Sequence, residues 1–301
     1  MSVPTIYSDA YDAPLPEGHR FPMGKFARLT ALIVQEGLAP DGFIAPRLAE
    51  REELIRVHDP LYVDAVLTQT LDPLATRRIG LPVTADVARR ACAATGGTMA
   101  TARAALEAGI ACNTAGGSHH AAPEGGAGFC VFNDVAVAIR ALQAEGRIAR
   151  ALVIDADVHQ GDGTALAFAD EPSVFTFSIH CAANYPTRKP PSDLDVALPR
   201  ATDDEAYLAA LDLGIGEAFA AFDPDIVFYN AGVDPHVDDA LGLLSLSDSG
   251  LAERERRVVA AVRGRQVPLA IVMGGGYGPD LDAIAMRHLI VHREAARWIG
   301  P

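Results

Sequence analysis

The chain has 301 residues, of which 50% are hydrophobic and 21% charged, and its formal net charge is −14. This composition is typical of a folded globular domain and excludes disordered, collagen-like and coiled-coil chains. The acidic excess argues against a nucleic-acid partner, since phosphate binding needs clustered Lys and Arg, and no apolar run approaches the ~18 residues of a membrane span.

Short apolar runs alternate along the chain with longer segments of helical periodicity. Continuous apolar runs are typical of strands covered on both faces of a sheet. The predicted strands are 3–7, 110–114, 151–154, 174–179, 226–229 and 269–273. The predicted helices are 23–36, 85–108, 131–145, 204–222, 249–263 and 281–298. This alternation predicts one α/β domain over residues 1–301, with a largely parallel sheet and helices on both faces.

Polar residues gather where four of these strands end. The carboxyl ends of parallel strands face one crevice, in which ligands bind, so the four clusters are expected to converge on one site. In chain order the clusters are GGSHH (116–120), DADVHQGDG (155–163), NAGVDPH (230–236) and GGGYG (274–278).

The DxDxH segment predicts a metal site. In an extended segment, residues i, i+2 and i+4 share a face, so Asp155, Asp157 and His159 point the same way. Catalytic zinc takes three protein ligands and keeps one open position. Asp157 and His159 would supply two ligands, and Asp234 on another strand end is the candidate for the third. The alternative is that these aspartates cap the next helix or make turn hydrogen bonds.

A pair of adjacent histidines suits acid and base chemistry beside a metal. Neighbouring residues on a strand point in opposite directions, so His119 and His120 both reach the site only if the backbone turns at Gly116 and Gly117. The carboxylates of Asp155 and Asp162 are placed to orient the two rings. The alternative is two packing histidines in a loop.

Two glycine-rich segments add a phenol and a narrow passage. Tyr277 could stabilise the oxyanion of a tetrahedral intermediate, although a glycine-rich turn with a packing tyrosine is the better interpretation of that segment alone. Gly128 allows the backbone to approach a narrow passage, and Phe129 could form its apolar wall. We interpret Cys130 as a packing or channel-floor thiol and not as a nucleophile.

Together these motifs resemble the zinc-dependent histone deacetylase family. The matching segments are GGSHHAAPEGGAGFCVFND (116–134), DADVHQGDG (155–163), NAGVDPH (230–236) and GGGY (274–277), and weaker agreement covers nearly the whole chain. The compact length, Gln160 and the segment 263–277 look most like class IV members. The resemblance implies an arginase-like fold.

The resemblance also implies roles for individual residues. One zinc ion would be bound by Asp157, His159 and Asp234. The resemblance makes His120, paired with Asp162, the general base, and His119, paired with Asp155, the acid or electrostatic partner. Tyr277 would polarise the acyl carbonyl, Phe129 and Tyr185 would form the tunnel walls, and Arg20 would line an inner cavity. The resemblance also implies a potassium ion, whose matching positions are Asp155, Asp157, His159, Ser178 and Ile179.

The expected function is hydrolysis of an acyl-amine amide bond, in an acyl-lysine peptide or protein or in an acylated small amine such as an acetylpolyamine. One alternative is the related two-manganese ureohydrolase chemistry, which needs further bridging aspartates. Another is a protein that binds acylated ligands without turnover.

Location is predicted from the start of the chain and from its thiols. Residues 1–10 have neither a basic start nor an apolar core, so no secretory signal is expected. The cysteines are widely spaced and form no CxxC pair, which favours free thiols in a cytoplasmic protein. They are Cys92, Cys112, Cys130 and Cys181.

Overall fold

A computed structural model describes residues 2–298, and its centre is a seven-stranded sheet in which every pairing is parallel. The strand order across the sheet is β1-β2-β7-β6-β3-β4-β5. The strands are β1 (Thr5–Ile6), β2 (Ile110–Asn113), β3 (Ala151–Asp155), β4 (Val174–Cys181), β5 (Leu194–Leu198), β6 (Ile226–Asn230) and β7 (Leu269–Val272).

Ten α-helices connect and cover the strands in residues 2–298, with a short 3-10 helix at Asp9–Tyr11. The five in the first half are α1 (Lys25–Gln35), α2 (Arg51–Leu54), α3 (Pro60–Leu67), α4 (Pro73–Ile79) and α5 (Ala85–Ala108). The others are α6 (Asp134–Ala144), α7 (Asp162–Ala167), α8 (Asp204–Ala221), α9 (Asp248–Arg263) and α10 (Leu281–Ala296).

The sheet separates two hydrophobic cores. Successive residues of β3 point to opposite faces, so Val153 joins the core under α1, α5 and α6, whereas Leu152 joins the core under α8 and α9. Strand β6 divides in the same way, with Phe228 on the first side and Val227 on the second. Burial on both faces explains why the central strands are continuous apolar runs. The expectation of one α/β domain with helices on both faces is confirmed.

The structure adds elements that the periodicity did not predict. Strand β5 is an edge strand whose residues alternate between partly buried and exposed, so it lacks a continuous apolar run. Helices α3 and α4 are short, but each begins with an Asp-Pro pair whose aspartate accepts backbone hydrogen bonds as the N-cap. Helix α6 begins three residues later than predicted, because Asn133 caps it.

No helix within residues 2–298 combines the length and apolar character that crossing a membrane requires. The four cysteines are buried free thiols.

Candidate active site

The candidate metal ligands Asp157, His159 and Asp234 meet at the carboxyl end of the sheet. Asp157 and His159 follow β3, and Asp234 follows β6, the strand beside β3. Each offers one donor atom, and these atoms lie within 4.8 Å of one another. All three side chains are buried. The structure thus brings together three residues that are up to 77 positions apart in the sequence (234 − 157 = 77).

Backbone amides fix the outer faces of the two carboxylates. Gly275 donates its N–H to Asp157 Oδ2 at 2.7 Å, and Val158 donates its N–H to Asp234 Oδ1 at 2.8 Å. The other oxygens face His159, whose Nδ1 is 3.0 Å from Asp157 Oδ1 and 3.1 Å from Asp234 Oδ2. Three donor atoms are therefore aimed at one point before any ion binds.

The chemistry of this donor set fits a zinc ion. Two carboxylates and an imidazole facing a pocket match a catalytic zinc site with an open position. Two buried carboxylates side by side are unfavourable unless a cation balances them. Burial and then the neighbouring Asp157 raise the pKa of Asp234 to about 7, which is the electrostatic sign of that imbalance. A divalent cation would remove it.

The turn that leads into His119 and His120 is stabilised by Asp134, the first residue of α6. The glycines at 116–117 have φ angles of 90° and 86°, a region that favours glycine. Asp134 accepts hydrogen bonds from the next two N–H groups, of Gly117 at 3.0 Å and of Ser118 at 2.7 Å. Both histidines then enter the site, with ring centroids 4.1 Å apart.

Each histidine has its own carboxylate partner. His119 Nδ1 lies 2.6 Å from Asp155 Oδ2, and His120 Nδ1 lies 2.5 Å from Asp162 Oδ1. Since a carboxylate only accepts hydrogen bonds, each Nδ1 carries a proton. The Nε2 atom of a neutral His120 is then free to accept a proton.

The pKa values of the two histidines are shifted in opposite directions. Burial lowers the pKa of His119, but Asp155 and Asp157 outweigh it and raise that pKa to about 9. Burial and then the positive charge of His119 lower the pKa of His120 to about 4. At neutral pH the pair therefore holds one protonated and one neutral imidazole, which is the arrangement an acid–base pair requires.

Three contacts hold the loop that carries Tyr277. Asp239 accepts the N–H of Tyr277 at 2.7 Å. Lys25, which is buried, donates its ammonium to the carbonyl oxygens of Gly274 at 3.2 Å and Gly276 at 3.3 Å. Burial lowers the pKa of Lys25 to about 8. Sequence reasoning missed both positioning residues, although Lys25 is one of only two lysines in the chain.

A pocket of about 490 Å³ leads from the surface to these groups. Phe129 and Tyr185 line it together with Tyr277, and both predicted wall residues are thus at the pocket. The Tyr185 ring is edge-on to the His120 ring, with 4.8 Å between the ring centroids. The ring centroids of Phe129 and Tyr277 are 5.8 Å apart. His159 lies at the bottom. The result is an aromatic passage above the candidate metal ligands.

Gly128 is required at the side of this passage for two reasons. Its φ angle of 53° is left-handed, and an added Cβ would lie 2.6 Å from Cδ2 of His120. The backbone there is fixed by hydrogen bonds from the N–H groups of Gly128 and Phe129 to Arg78 and Ile79 carbonyls, at 3.2 and 2.6 Å.

Arg20 does not lie where the resemblance placed it. Its exposed side chain lines the outer pocket, while the guanidinium lining the small inner cavity of about 30 Å³ belongs to Arg90. Arg90 is buried, and its Cζ lies over the rings of Phe21 and Phe26, 5.2 and 4.9 Å from their centroids. The two arginines differ in location because Arg20 lies in the segment before α1, whereas Arg90 is a buried residue of α5.

Three of the five predicted potassium residues lie on adjacent strands. Asp155 at the end of β3 pairs in register with Ser178 of β4, and Ile179 follows Ser178. The other two, Asp157 and His159, follow β3 and are also members of the candidate metal triad. Potassium binding at these positions remains a prediction.

Comparisons with known proteins identify a family that matches most of the chain. The family model described as "Histone deacetylase domain" matches residues 19–292. Among curated proteins, an uncharacterised protein of Picosynechococcus is 48% identical over 98% of this chain and 99% of its own length. Histone deacetylase 2 of Arabidopsis thaliana is 31% identical over 91% of this chain and 74% of its own length.

A relative from Bacillus subtilis and a solved structure extend the picture. The acetoin utilization protein AcuC is 33% identical over 80% of this chain and 68% of its own length. A crystal structure of a histone deacetylase homologue complexed with SAHA superimposes with a TM-score of 0.83 at 25% identity, covering 99% of this chain and 84% of that one. The chain therefore belongs to the histone deacetylase family, a family of deacetylase hydrolases.

Proposed function

We propose that this protein is a zinc-dependent amidohydrolase that removes an acyl group, acetyl or longer, from the side-chain amine of acyl-lysine in peptides or proteins. The observation that carries the proposal is the meeting of three elements at the bottom of one aromatic pocket. These are the Asp157–His159–Asp234 triad, a histidine pair with opposite pKa shifts and a phenol.

Asp157, His159 and Asp234 would hold the zinc ion. When bound, zinc polarises the acyl carbonyl and makes water a better nucleophile near neutral pH. Only one such triad occurs within residues 2–298, which supports one metal per chain and disfavours two-metal ureohydrolase chemistry.

His120 would act as the general base. Its low pKa keeps it neutral, and its hydrogen bond to Asp162 leaves Nε2 free to take a proton from the attacking water. His119, protonated against Asp155, would stabilise negative charge and supply the proton that the leaving amine needs. Proton acceptor and proton donor thus stand side by side.

Tyr277 would donate a hydrogen bond to the acyl oxygen as negative charge develops there. Desolvation, followed by Asp157 and Asp234, holds the pKa of Tyr277 well above its usual range, so the phenol keeps its proton. Phe129 and Tyr185 would contact the aliphatic stem of the acyl-lysine on either side, which leaves the scissile amide at the bottom of the pocket.

Amine release from a substrate panel tests this proposal. The panel contains an acetyl-lysine peptide, longer acyl-lysine peptides and an acetylpolyamine, each incubated with zinc-loaded protein. We expect the acyl-lysine peptides to be hydrolysed with higher kcat/KM than the acetylpolyamine. A higher kcat/KM for the acetylpolyamine would show that the substrates are acylated small amines instead of acyl-lysine peptides. If zinc-loaded protein releases no amine from any member, the proposed activity is overturned. Similarity to class IV members and a cytoplasmic location remain parts of the same proposal.

A further inference from the structure

The mouth of the outer pocket carries positive charge, although the chain as a whole is strongly acidic. Two of the residues lining the pocket are charged arginines, Arg20 and Arg78, and no Asp or Glu of residues 2–298 lines it. Both side chains are exposed. The net charge of −14 would by itself suggest attraction of cationic substrates, but the local charge at the mouth has the opposite sign.

Neither guanidinium is paired with a carboxylate in the part of the chain that the structure describes. Within the described residues, 2–298, no carboxylate lies within 4 Å of Arg20 or Arg78, whereas many of the other arginines form such pairs. The acidic residues beneath the mouth face other partners: Asp155 and Asp162 pair with the histidine pair. The uncompensated charge at the entrance is therefore cationic.

The backbones of both arginines are held against the pocket wall. His19 beside Arg20 lies with Nε2 3.0 Å from the carbonyl oxygen of Gly80 and accepts the Phe21 N–H at Nδ1, at 3.1 Å. The carbonyl of Arg78 accepts the N–H of Gly128 at 3.2 Å. The two guanidinium groups thus extend from fixed points on the pocket rim.

Arg78 also faces the aromatic wall. Burial and then Asp162 raise the pKa of Tyr185 to about 12, and Arg78 acts on the same phenol in the opposite direction. An acyl-lysine whose scissile amide lies beside Tyr277 extends its aliphatic stem along the passage, so the α-carbon end of that stem and the groups bonded to it lie at this rim. Whatever carries the amine therefore meets Arg20 and Arg78.

We infer that Arg20 and Arg78 select acyl-amines that bear a carboxylate at the outer end of the stem, where the stem that carries the acylated nitrogen reaches the pocket rim. Guanidinium groups bind carboxylates with paired, charge-assisted hydrogen bonds. The carboxylate could be the α-carboxylate of a small acylated amino acid or an acidic side chain beside acyl-lysine in a peptide. This inference rests on the proposed amidohydrolase function and disfavours polycationic carriers such as polyamines.

Matched substrates test it. The first pair is Nα-benzoyl-Nε-acetyl-lysine and its neutral carboxamide. The second is an end-capped acetyl-lysine peptide with Glu or Gln directly after the acetyl-lysine. At low ionic strength we expect kcat/KM to favour the carboxylate member by about tenfold in at least one pair, and the ratio to shrink in high salt.

Variants assign the preference to the rim. Arg78→Gln and Arg20→Gln should each lower the carboxylate-to-neutral ratio, and Arg78→Glu should invert it. The control is Arg77→Gln, which removes the same charge from the adjacent exposed position outside the pocket lining. Its ratio should equal that of the wild type. A preference in the small-molecule pair alone identifies a free amino acid as the source, and one in the peptide pair alone identifies a protein.

The outcomes separate this inference from the proposed function. Equal kcat/KM for both members of both pairs overturns the inference while the amidohydrolase function stands. If zinc-loaded protein releases no amine from any substrate, the proposed function fails, and calorimetric affinities for the same pairs decide the inference. Tighter binding of the carboxylate members, lost in Arg78→Glu, supports it, and equal affinities overturn it.

Discussion

Tyr277 lies on a loop that two side chains from elsewhere in the fold hold in place. Asp239 accepts the N–H of Tyr277, and Lys25 donates to the carbonyl groups of Gly274 and Gly276 in the preceding residues. The phenol itself has no hydrogen-bond partner among the described residues, 2–298, so its O–H is free for a substrate oxygen. A donor held in this way before substrate arrives acts without reorganisation as charge develops.

Replacing Tyr277 with Phe should therefore remove catalysis and little else. We expect kcat for amine release to fall about 10²–10³-fold, the typical loss of one oxyanion donor. Zinc content per chain should stay at the wild-type level, because Tyr277 is not one of the three ligands. Parallel steady-state kinetics and metal analysis check both expectations. Near-full activity in the variant would contradict the role of Tyr277.

Gly275 provides a residue-scale test of the metal centre. A Cβ at this position would collide with the carboxylate oxygens of Asp157 and Asp234. Gly275→Ala should thus displace two ligands and weaken zinc binding by at least about tenfold, the lower end for disturbing groups that orient ligands. Zinc affinity is measured by competition with a chelator. Wild-type affinity in Gly275→Ala would show that this loop does not fix the carboxylates.

At the scale of one helix, two glycines of α8 give opposite predictions. Gly214 faces the ring of Phe177, where an added Cβ would overlap, whereas Gly216 is exposed with open space around it. Gly216→Ala should raise the free energy of unfolding by roughly 0.5–1 kcal/mol through helix propensity. Gly214→Ala should lower it by about 1–3 kcal/mol through overpacking.

Urea unfolding of both variants, followed by far-UV circular dichroism, measures these changes. The pair is matched, since both substitutions are Gly→Ala in one helix and differ only in what the new methyl group meets. Equal shifts of the unfolding midpoint for the two variants would contradict the packing of α8 against β4.

The elements differ in how well their sequences predict them. Central strands such as β3 and β6 are fully buried, so their apolar composition identifies them. The edge strand β5 depends on pairing with β4, and its pattern of partial exposure resembles a loop. The two-residue strand β1 is shorter than its apolar run predicts, because only Thr5 and Ile6 pair with β2.

The residues of the candidate active site also differ in how well the sequence predicts them. Ligands and histidines lie in short motifs directly after strands, so spacing reveals them. Lys25 and Asp239 act on the loop of Tyr277 from 249 and 38 residues away, and no local pattern links them to it. The resemblance implies that Arg20 lines the inner cavity, but the three-dimensional path of the chain shows that Arg90 lines it.

The whole molecule contains several histidines that fold in the neutral form. His58, His180 and His292 are buried, and burial is the largest cause that lowers the pKa of each to about 4. In the unfolded chain their pKa returns to about 6.5. The unfolded state therefore binds more protons as the pH falls below about 6.5, and stability is lost progressively down to about pH 4.

His292 isolates one of these contributions, since burial is the sole cause of its shift. Between pH 7 and pH 5 the wild type should lose about 2 kcal/mol more stability than His292→Phe, from the linkage of one proton. Urea unfolding of both proteins at the two pH values measures the difference. An equal loss in both would mean that His292 is already charged in the folded protein.

Activity titrated against zinc tests the central claim most directly. Metal-free protein receives increasing zinc, and both bound metal and amine release from an acetyl-lysine peptide are recorded at each step. The account predicts that activity rises with occupancy and reaches its plateau at one zinc per chain, and that Asp234→Asn shows neither tight binding nor turnover. A plateau only at two metals per chain, or no amine release at full occupancy, would contradict it.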